Sequence, residues 1–372
     1  MTVAMVGTRG VPARYGGFET AVEEVGRRLV ERGHRVTVYC RRSAGKDATP
    51  LAEHLGMDLV HLPAVRRRSL ETLSHTGLSV GHLLRHRPDV ALLFNAANAP
   101  YLPALRAARV PVATHVDGLE WRRAKWSGLG QRYYKGVERL SVWWSDALIA
   151  DAPGIADYYS TKFDAPTTQI AYGAPITDGS THRLNDLGLK PEEFHLVVAR
   201  FEPENHVDMI VRGYVQSDAR LPLVVVGSAP YSDEHTAAIK AASDERVRFL
   251  GGVWDQELLD QLYSGARTYL HGHSVGGTNP SLLRAIGAGA AVLAYDVNFN
   301  HDVLGAAGRY FGGDADVASL VESAEGDVEA TREQGRQARE RATHYDWDDV
   351  TDRYEALCLE LARSPKSAVQ PA

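Results

Sequence analysis

Apolar positions in the first half of the chain alternate between short unbroken runs and helical spacing. Val3–Val6 is such a run. Phe18–Arg32 follows, with Phe18, Val22, Val25 and Leu29 recurring on one helix face until Gly33 stops it. Arg35–Cys40 is the next strand candidate and completes a βαβ unit. Val90–Phe94, Val112–Val116 and Ala147–Ala150 are further strand candidates, short and apolar as parallel strands covered on both faces are. The rhythm restarts in the second half with Gln169–Ala171, Leu196–Ala199, Leu223–Val226, Arg248–Leu250, Thr268–Leu270 and Val292–Ala294, separated by helical stretches. The pattern predicts two doubly wound α/β domains, residues 1–165 and 166–345, linked near Ser160–Thr168. A last helix, at about 346–364 around Asp348–Arg363, has no packing partner fixed by its pattern.

A length of 372 residues, with 44% hydrophobic and 24% charged, suits two ordinary cores. No apolar run reaches the roughly 18 residues needed to span a bilayer. The opening MTVAMVGTRG enters a strand at once, so a signal peptide is not expected. Cys40 and Cys358 make no disulfide framework and no metal-ligand spacing; they read as reduced thiols of a cytoplasmic protein. The net charge of -6 hides an asymmetry. The first 165 residues hold 23 Lys and Arg against 16 Asp and Glu, the remainder 18 against 31. A basic half joined to an acidic half suits different partners on different surfaces.

Two glycine clusters carry candidate chemistry. Gly7-Thr8-Arg9-Gly10 follows the first strand and Gly16-Gly17 precedes the first helix. Glycines there permit close backbone approach, and a helix N-terminus offers N–H groups to an anion. The spacing is not Gly-x-Gly-x-x-Gly, and the second strand runs into Arg41-Arg42 rather than an acid, so an NAD fingerprint is poorly supported. The second cluster is His271-Gly-His-Ser-Val-Gly-Gly-Thr-Asn-Pro280, a polar loop between a strand and a helix capped by Asn279 with Pro280 in its first turn. Small residues and hydrogen-bond donors at a strand's carboxyl end suit a diphosphate. His271 and His273 have no third metal ligand nearby in sequence.

These strings resemble the rhamnosyltransferase-like branch of glycosyltransferase family 4. Val6-Gly-Thr-Arg-Gly-Val-Pro-Ala-Arg-Tyr-Gly-Gly-Phe-Glu-Thr20, Val116-Asp-Gly-Leu-Glu-Trp-Arg-Arg-Ala-Lys-Trp126, Asp146-Ala-Leu-Ile-Ala-Asp151 and Gly272–Leu283 run in the branch's order and extend the resemblance over nearly the whole chain. It implies a GT-B fold, two Rossmann-like domains facing across a cleft, with the C-terminal helix crossing back to the first. It implies a nucleotide-diphosphate sugar bound by the second domain, an acceptor bound by the first, retention at the anomeric carbon, and no metal or other cofactor. By position, Gly16 and Gly17 would face donor phosphates, Asp117 the reacting sugar, Arg200 and the loop Gly276, Gly277, Thr278 and Asn279 the diphosphate, and Val253 the base. The physical reading agrees at Arg200, since a guanidinium at a strand's carboxyl end can grip a leaving diphosphate. Asp117-Gly118 is also a common turn pair. Where the family carries two acids with seven residues between them, the second on the ribose, this chain has Gly276 and Arg284. The family's usual Lys shortly after the Arg is missing too. Arg284 is placed at the donor, with an ion pair to an acid such as Asp302 as the alternative.

Arg66-Arg67-Arg68, His82, Arg85, Arg87, Arg122, Arg123 and Lys125 make the first domain basic. Tyr133, Val137, Leu140 and Trp144 share one helix face and should be core. Arg132, Lys135, Arg139 and Trp143 share another, a basic stripe ending in Trp that suits peripheral contact with an anionic membrane. The implied acceptor is a glycan or lipid-diphosphate at the inner membrane face, in cell-surface polysaccharide synthesis; no nucleic-acid motif is present. The competing readings are a nucleotide-sugar-binding pseudoenzyme, which Arg284 favours, and another GT-B enzyme such as a sugar-nucleotide epimerase.

Overall fold

A computed structural model of the protein describes residues 1–13, 16–42, 50–65, 70–116, 119–123, 126, 128–227 and 233–363. The chain divides into two compact units, Met1–Tyr172 with the segment from Trp347 onward, and Gly173–Asp346.

Among the described residues the first unit is built on eight strands: β1 (Thr2–Val6), β2 (Arg35–Arg41), β3 (Glu53–His54), β4 (Met57–Leu62), β5 (Val90–Phe94), β6 (Val112–His115), β7 (Ala147–Ala150) and β8 (Thr168–Gln169). They lie in the order β3-β4-β2-β1-β5-β6-β7-β8, parallel except for the short β3–β4 hairpin. Between them run α1 (Gly17–Glu31), α2 (Glu71–His86), α3 (Leu102–Ala107), α4 (Leu129–Trp144) and α5 (Pro153–Phe163). Alternation along β1 divides the layers. Ala4 and Val6 join a core with Val80 and Leu83 of α2, Leu102 and Leu105 of α3, and Val137 of α4. Met5, with Met57, points the other way and faces Gly26 of α1. Tyr133, Leu140 and Trp144 pack on the first of these cores, as their helical spacing predicts.

The second unit has a six-stranded, all-parallel sheet: β9 (His195–Val198), β10 (Leu223–Val226), β11 (Val247–Gly251), β12 (Thr268–His271), β13 (Ala291–Tyr295) and β14 (Gly308–Phe311), in the order β11-β10-β9-β12-β13-β14. Its helices are α6 (Val207–Gln216), α7 (Asp233–Ala241), α8 (Gln256–Gly265), α9 (Pro280–Ala288), α10 (Asn298–Leu304), α11 (Asp314–Gly326) and α12 (Val328–Ala342). Val207, Ile210, Val211 and Tyr214 of α6 and Val317 and Val321 of α11 close a core over Val197, Val225, Leu270 and Leu293.

The chain then returns to the first unit through α13 (Trp347–Arg363). Its buried face is Trp347, Val350, Tyr354, Leu357, Cys358 and Leu361. Along α1 it is clamped by ion pairs: Arg28 Nε to Asp348 at 2.7 Å, and Arg32 to Asp352 and Glu355, both at 2.7 Å. His34 joins Glu355 at 2.6 Å. The segment after Ser160–Thr168 does not open the second sheet: β8 pairs in parallel with β7 and finishes the first. Both cysteines are buried and free, and burial pushes Cys40 up to about 11.

Candidate functional site

Strand order locates the crevice of the second unit. From β9 the chain steps outward through β10 to β11, then crosses to β12 and steps the other way through β13 to β14. The carboxyl ends of β9 and β12 therefore flank the switch point, where open parallel sheets bind ligands. Arg200 lies just beyond β9. Its Nη1 donates to Glu202 Oε1 at 3.2 Å, and its side chain remains 37% exposed. The loop after β12 is laced to the segment after β9: Ser274 N donates to Glu204 O at 2.9 Å, and His206 Nε2 and Ser274 Oγ are 3.0 Å apart. Asn205 sits between the two segments. Its Nδ2 donates to Arg200 O at 2.7 Å, while its Oδ1 lies 2.7 Å from His273 Nδ1.

Gly276 is buried with φ +136°, a conformation L side chains rarely adopt, so glycine there is a backbone requirement. Gly277 is half-buried and Thr278 buried. Asn279 Oδ1 accepts from Ser281 N at 2.9 Å and caps α9, with Pro280 in the first turn. Val253, beyond β11, is half-buried beside an exposed Trp254. Arg284, in the second turn of α9, donates through Nε to Asp260 Oδ1 at 2.6 Å and through Nη2 to Gln256 Oε1 at 2.8 Å. Its acid is thus Asp260 of α8, not Asp302, whose backbone carbonyl accepts from Arg341 at 3.0 Å. The structure therefore gathers Arg200 and the Gly276–Asn279 loop at adjacent strand ends, with Val253 two strands along and Arg284 on the helix behind.

Sequence reasoning passed over Asn205 and treated His271 and His273 only as candidate metal ligands. Neither the Asn205 bridge nor the burial of His271 has a sequence signature. His271 ends β12, 3% exposed, with Nδ1 at 3.2 Å from Tyr269 OH; its Nε2 makes no hydrogen bond among the described residues. Burial lowers it to about 3, so its ring stays neutral. No group of three or more His, Cys, Asp or Glu is arranged for a metal among the described residues.

In the first unit the switch point falls between β1 and β5. Gly16, φ +116°, is the N-cap of α1 and makes no side-chain cap, and Gly17 opens the helix. Glu19 of that first turn accepts Arg9 N at 3.0 Å and holds the Gly-rich loop against the helix. Asp117 lies outside the described residues, as do Arg66–Arg68 and Lys125. His115, two residues before Asp117, is buried in a pile of rings, 5.9 Å from Phe94 and 5.8 Å from Tyr172, with Phe18 edge-on at 5.1 Å.

Helix α4 turns Arg132, Lys135, Arg139 and Trp143 outward. Leu129 at one end of that helix is 82% exposed and Trp143 at the other 64%. Lys135 Nζ also lies 4.6 Å over the Trp121 ring. Among the described residues no helix is long and apolar enough to cross a membrane.

Two doubly wound parallel-sheet units, with the last helix returned to the first, are the architecture of GT-B glycosyltransferases. Sucrose-phosphate synthase from Thermosynechococcus elongatus has the same fold, with a TM-score of 0.83 at 18% identity over 98% of this chain and 100% of that one. Anabaena HepE in complex with UDP follows at 0.75 and 15% identity, over 97% and 100%. Residues 16–173 match the family described as glycosyl transferase 4-like domain, and residues 184–342 the one described as glycosyl transferases group 1. The chain belongs to these family-4-like glycosyltransferases. A curated relative from Streptococcus gordonii, the GtfA subunit of a UDP-N-acetylglucosamine–peptide N-acetylglucosaminyltransferase, is 28% identical over 109 residues, 28% of this chain. The match spans about a fifth of that relative's length (21%).

Proposed function

We propose that the chain moves a hexose, rhamnose in the first place, from a nucleoside-diphosphate sugar to a glycan or lipid-diphosphate acceptor, with retention, in cell-surface polysaccharide synthesis. The observation that carries the donor half is the switch-point crevice of the second unit, where a half-exposed guanidinium and a glycine loop meet at adjacent strand ends. Glycosyl transfer builds negative charge on the leaving diphosphate, and fixed donors that stabilise that charge lower the barrier. In this reading Arg200 supplies a charged hydrogen bond, the backbone N–H groups of Gly276, Gly277, Thr278 and Asn279 supply neutral ones, and no metal is needed. Val253 borders the base. Arg284, pinned through Nε and Nη2, presents Nη1, which makes no hydrogen bond among the described residues, to the nucleotide. Gly16 and Gly17 lend first-turn N–H groups to a phosphate. Asp117 orients the acceptor hydroxyl or stabilises positive charge at the anomeric carbon.

The sugar is inferred from the branch the sequence resembles. UDP-sugars are the second donor class, supported by HepE structures with UDP and UDP-glucose and by the UDP-N-acetylglucosamine chemistry in the Streptococcus relative's name. The acceptor half rests on α4. A cationic stripe with an apolar residue exposed at each end suits a helix lying on an anionic bilayer, and so a lipid-linked acceptor at the inner membrane face. The ion pair to Asp260 compensates Arg284 within the second unit, which weakens the case for a pseudoenzyme. The test is a thermal-shift screen of UDP, dTDP and GDP, followed by nucleoside-diphosphate release from the sugars of whichever binds. Binding by mass action raises Tm. A chain that binds none of them is not the transferase proposed.

A further inference from the structure

The two walls of the donor crevice are joined behind it by hydroxyl groups. Alternation along β12 turns Leu270 into the core under α6 and Tyr269 to the opposite face, toward α9. Tyr263 reaches the same place from α8. Both phenol rings are buried, and their oxygens each lie 2.6 Å from Oγ of Ser281, in the first turn of α9. Ser281 Oγ in turn lies 3.3 Å from the carbonyl oxygen of Val198, the last residue of β9 and two before Arg200.

A serine hydroxyl has one proton to give and two lone pairs. Ser281 gives its proton to the Val198 carbonyl, which can only accept, and takes one from each phenol; its capacity is then full. Burial pushes both phenols above their ordinary pKa, so they stay protonated donors. Tyr269 OH also lies 3.2 Å from Nδ1 of buried His271, which brings the end of β12 into the chain. Apolar side chains could fill this space without a polar cost. Hydroxyls that must meet fix a distance and a direction. What they fix is the offset of α9 from β9. The first turn of α9 follows the Gly276–Asn279 loop directly, with Ser281 N donating to Asn279 Oδ1 at 2.9 Å. One side-chain oxygen thus ties the root of the loop to the strand end that carries Arg200.

We propose that Ser281 is a positioning residue for the donor diphosphate: it holds the glycine loop and Arg200 at the spacing at which both reach the same diphosphate. This rests on the donor-site reading above. Ser281 itself touches no substrate. Its role lies in the cooperation of two contacts, and a misplacement of about 1 Å between such contacts can cost up to about a hundredfold.

The experiment titrates UDP and dTDP calorimetrically into wild type, Ser281→Ala, Ser281→Thr, Arg200→Ala and the Ser281→Ala, Arg200→Ala double variant. Ser281→Ala should raise Kd about tenfold, and Ser281→Thr, which keeps the hydroxyl, should restore most of the affinity. On the Arg200→Ala background the same loss of Ser281 should cost less than about twofold, because spacing to a missing guanidinium no longer matters. A hydroxyl that only stabilises the fold would lower Tm and change Kd by the same factor, or not at all, on both backgrounds. A wild-type Kd in Ser281→Ala, a Thr variant as poor as Ala, or an equal factor on both backgrounds would each overturn the assignment. If wild type binds neither nucleotide, the donor-site reading fails and this proposal with it; if wild type binds, any of those three results removes Ser281 alone.

Discussion

Arg284→Ala tests the strut between α9 and α8 and the donor site together. Nε and Nη2 tie the guanidinium to Asp260 at 2.6 Å and to Gln256 at 2.8 Å, and the paired side chains are 21% and 34% exposed. An exposed ion pair contributes about 0–1 kcal/mol and a charged hydrogen bond roughly 1.5–3 kcal/mol. A pair at this depth, partly screened by water, should fall between, at about 1–2 kcal/mol. For a unit of this size each kcal/mol is about 2–4 °C of Tm, so truncation should lower the melting temperature by roughly 2–8 °C. Calorimetric melting reads that directly. Titration of UDP and dTDP reads the second use, where loss of a charged contact from Nη1 should raise Kd about tenfold or more. Arg284→Glu should melt lower than Arg284→Ala, because it sets a carboxylate against Asp260. An unchanged Tm would refute the strut. A lowered Tm with unchanged Kd would leave Arg284 as a strut only and remove it from the donor site.

Vesicles rich in anionic lipid should bind the protein less as salt rises, and reversing charge at Arg132, Lys135 and Arg139 should abolish binding, at about 1 kcal/mol per cation. Unchanged sedimentation with vesicles would leave α4 a solvated face. The α1–α13 clamp should be acid-labile. The hydrogen bond from His34, with Arg32 beside it, holds the Glu355 carboxyl below the usual carboxylate range despite partial burial. A depressed carboxyl adds stability above its ordinary pKa and loses it as pH falls through the folded value. Tm should therefore drop below about pH 5, and Glu355→Gln should start lower and fall less steeply; parallel curves would remove Glu355 from the acid response.

Most strands were legible because a parallel strand covered on both faces is an unbroken apolar run, as in Val90–Phe94 and Leu223–Val226. Those passed over break that rule. Met57–Leu62 lies near the sheet edge and its apolar run is broken by Asp58 and His61, and Gly308–Phe311 at the other sheet's edge carries Arg309 and Tyr310. The pattern assigns Gln169–Ala171 to the second domain, and the strand Thr168–Gln169 closes the first sheet instead, because an edge strand of two residues gives no clue to its partner. The place of α13 was open in its pattern, since an amphipathic helix declares that it packs and not on what; the resemblance supplied the answer that the Arg28 and Arg32 ion pairs show. At the site, strand-end position and the Asn279–Pro280 cap were readable locally. The Asp260 partner of Arg284 and the Asn205–His273 hydrogen bond join residues 24 and 68 apart, and only the folded chain brings them together.

The central claim is that the crevice at the ends of β9 and β12 works on a nucleotide sugar. Its most direct test is release of nucleoside diphosphate from dTDP-rhamnose, UDP-glucose and UDP-N-acetylglucosamine, by wild type and by Arg200→Ala. Arg200 is a third exposed and, among the described residues, its one side-chain ion pair is with nearby Glu202, so its loss should barely affect Tm. The account predicts that wild type releases diphosphate from at least one of the three. It further predicts that Arg200→Ala, equally folded, is slower by the roughly 2–4 kcal/mol that one charged transition-state donor supplies, a factor of about thirty to a thousand. Release by wild type that Arg200→Ala matches would contradict it.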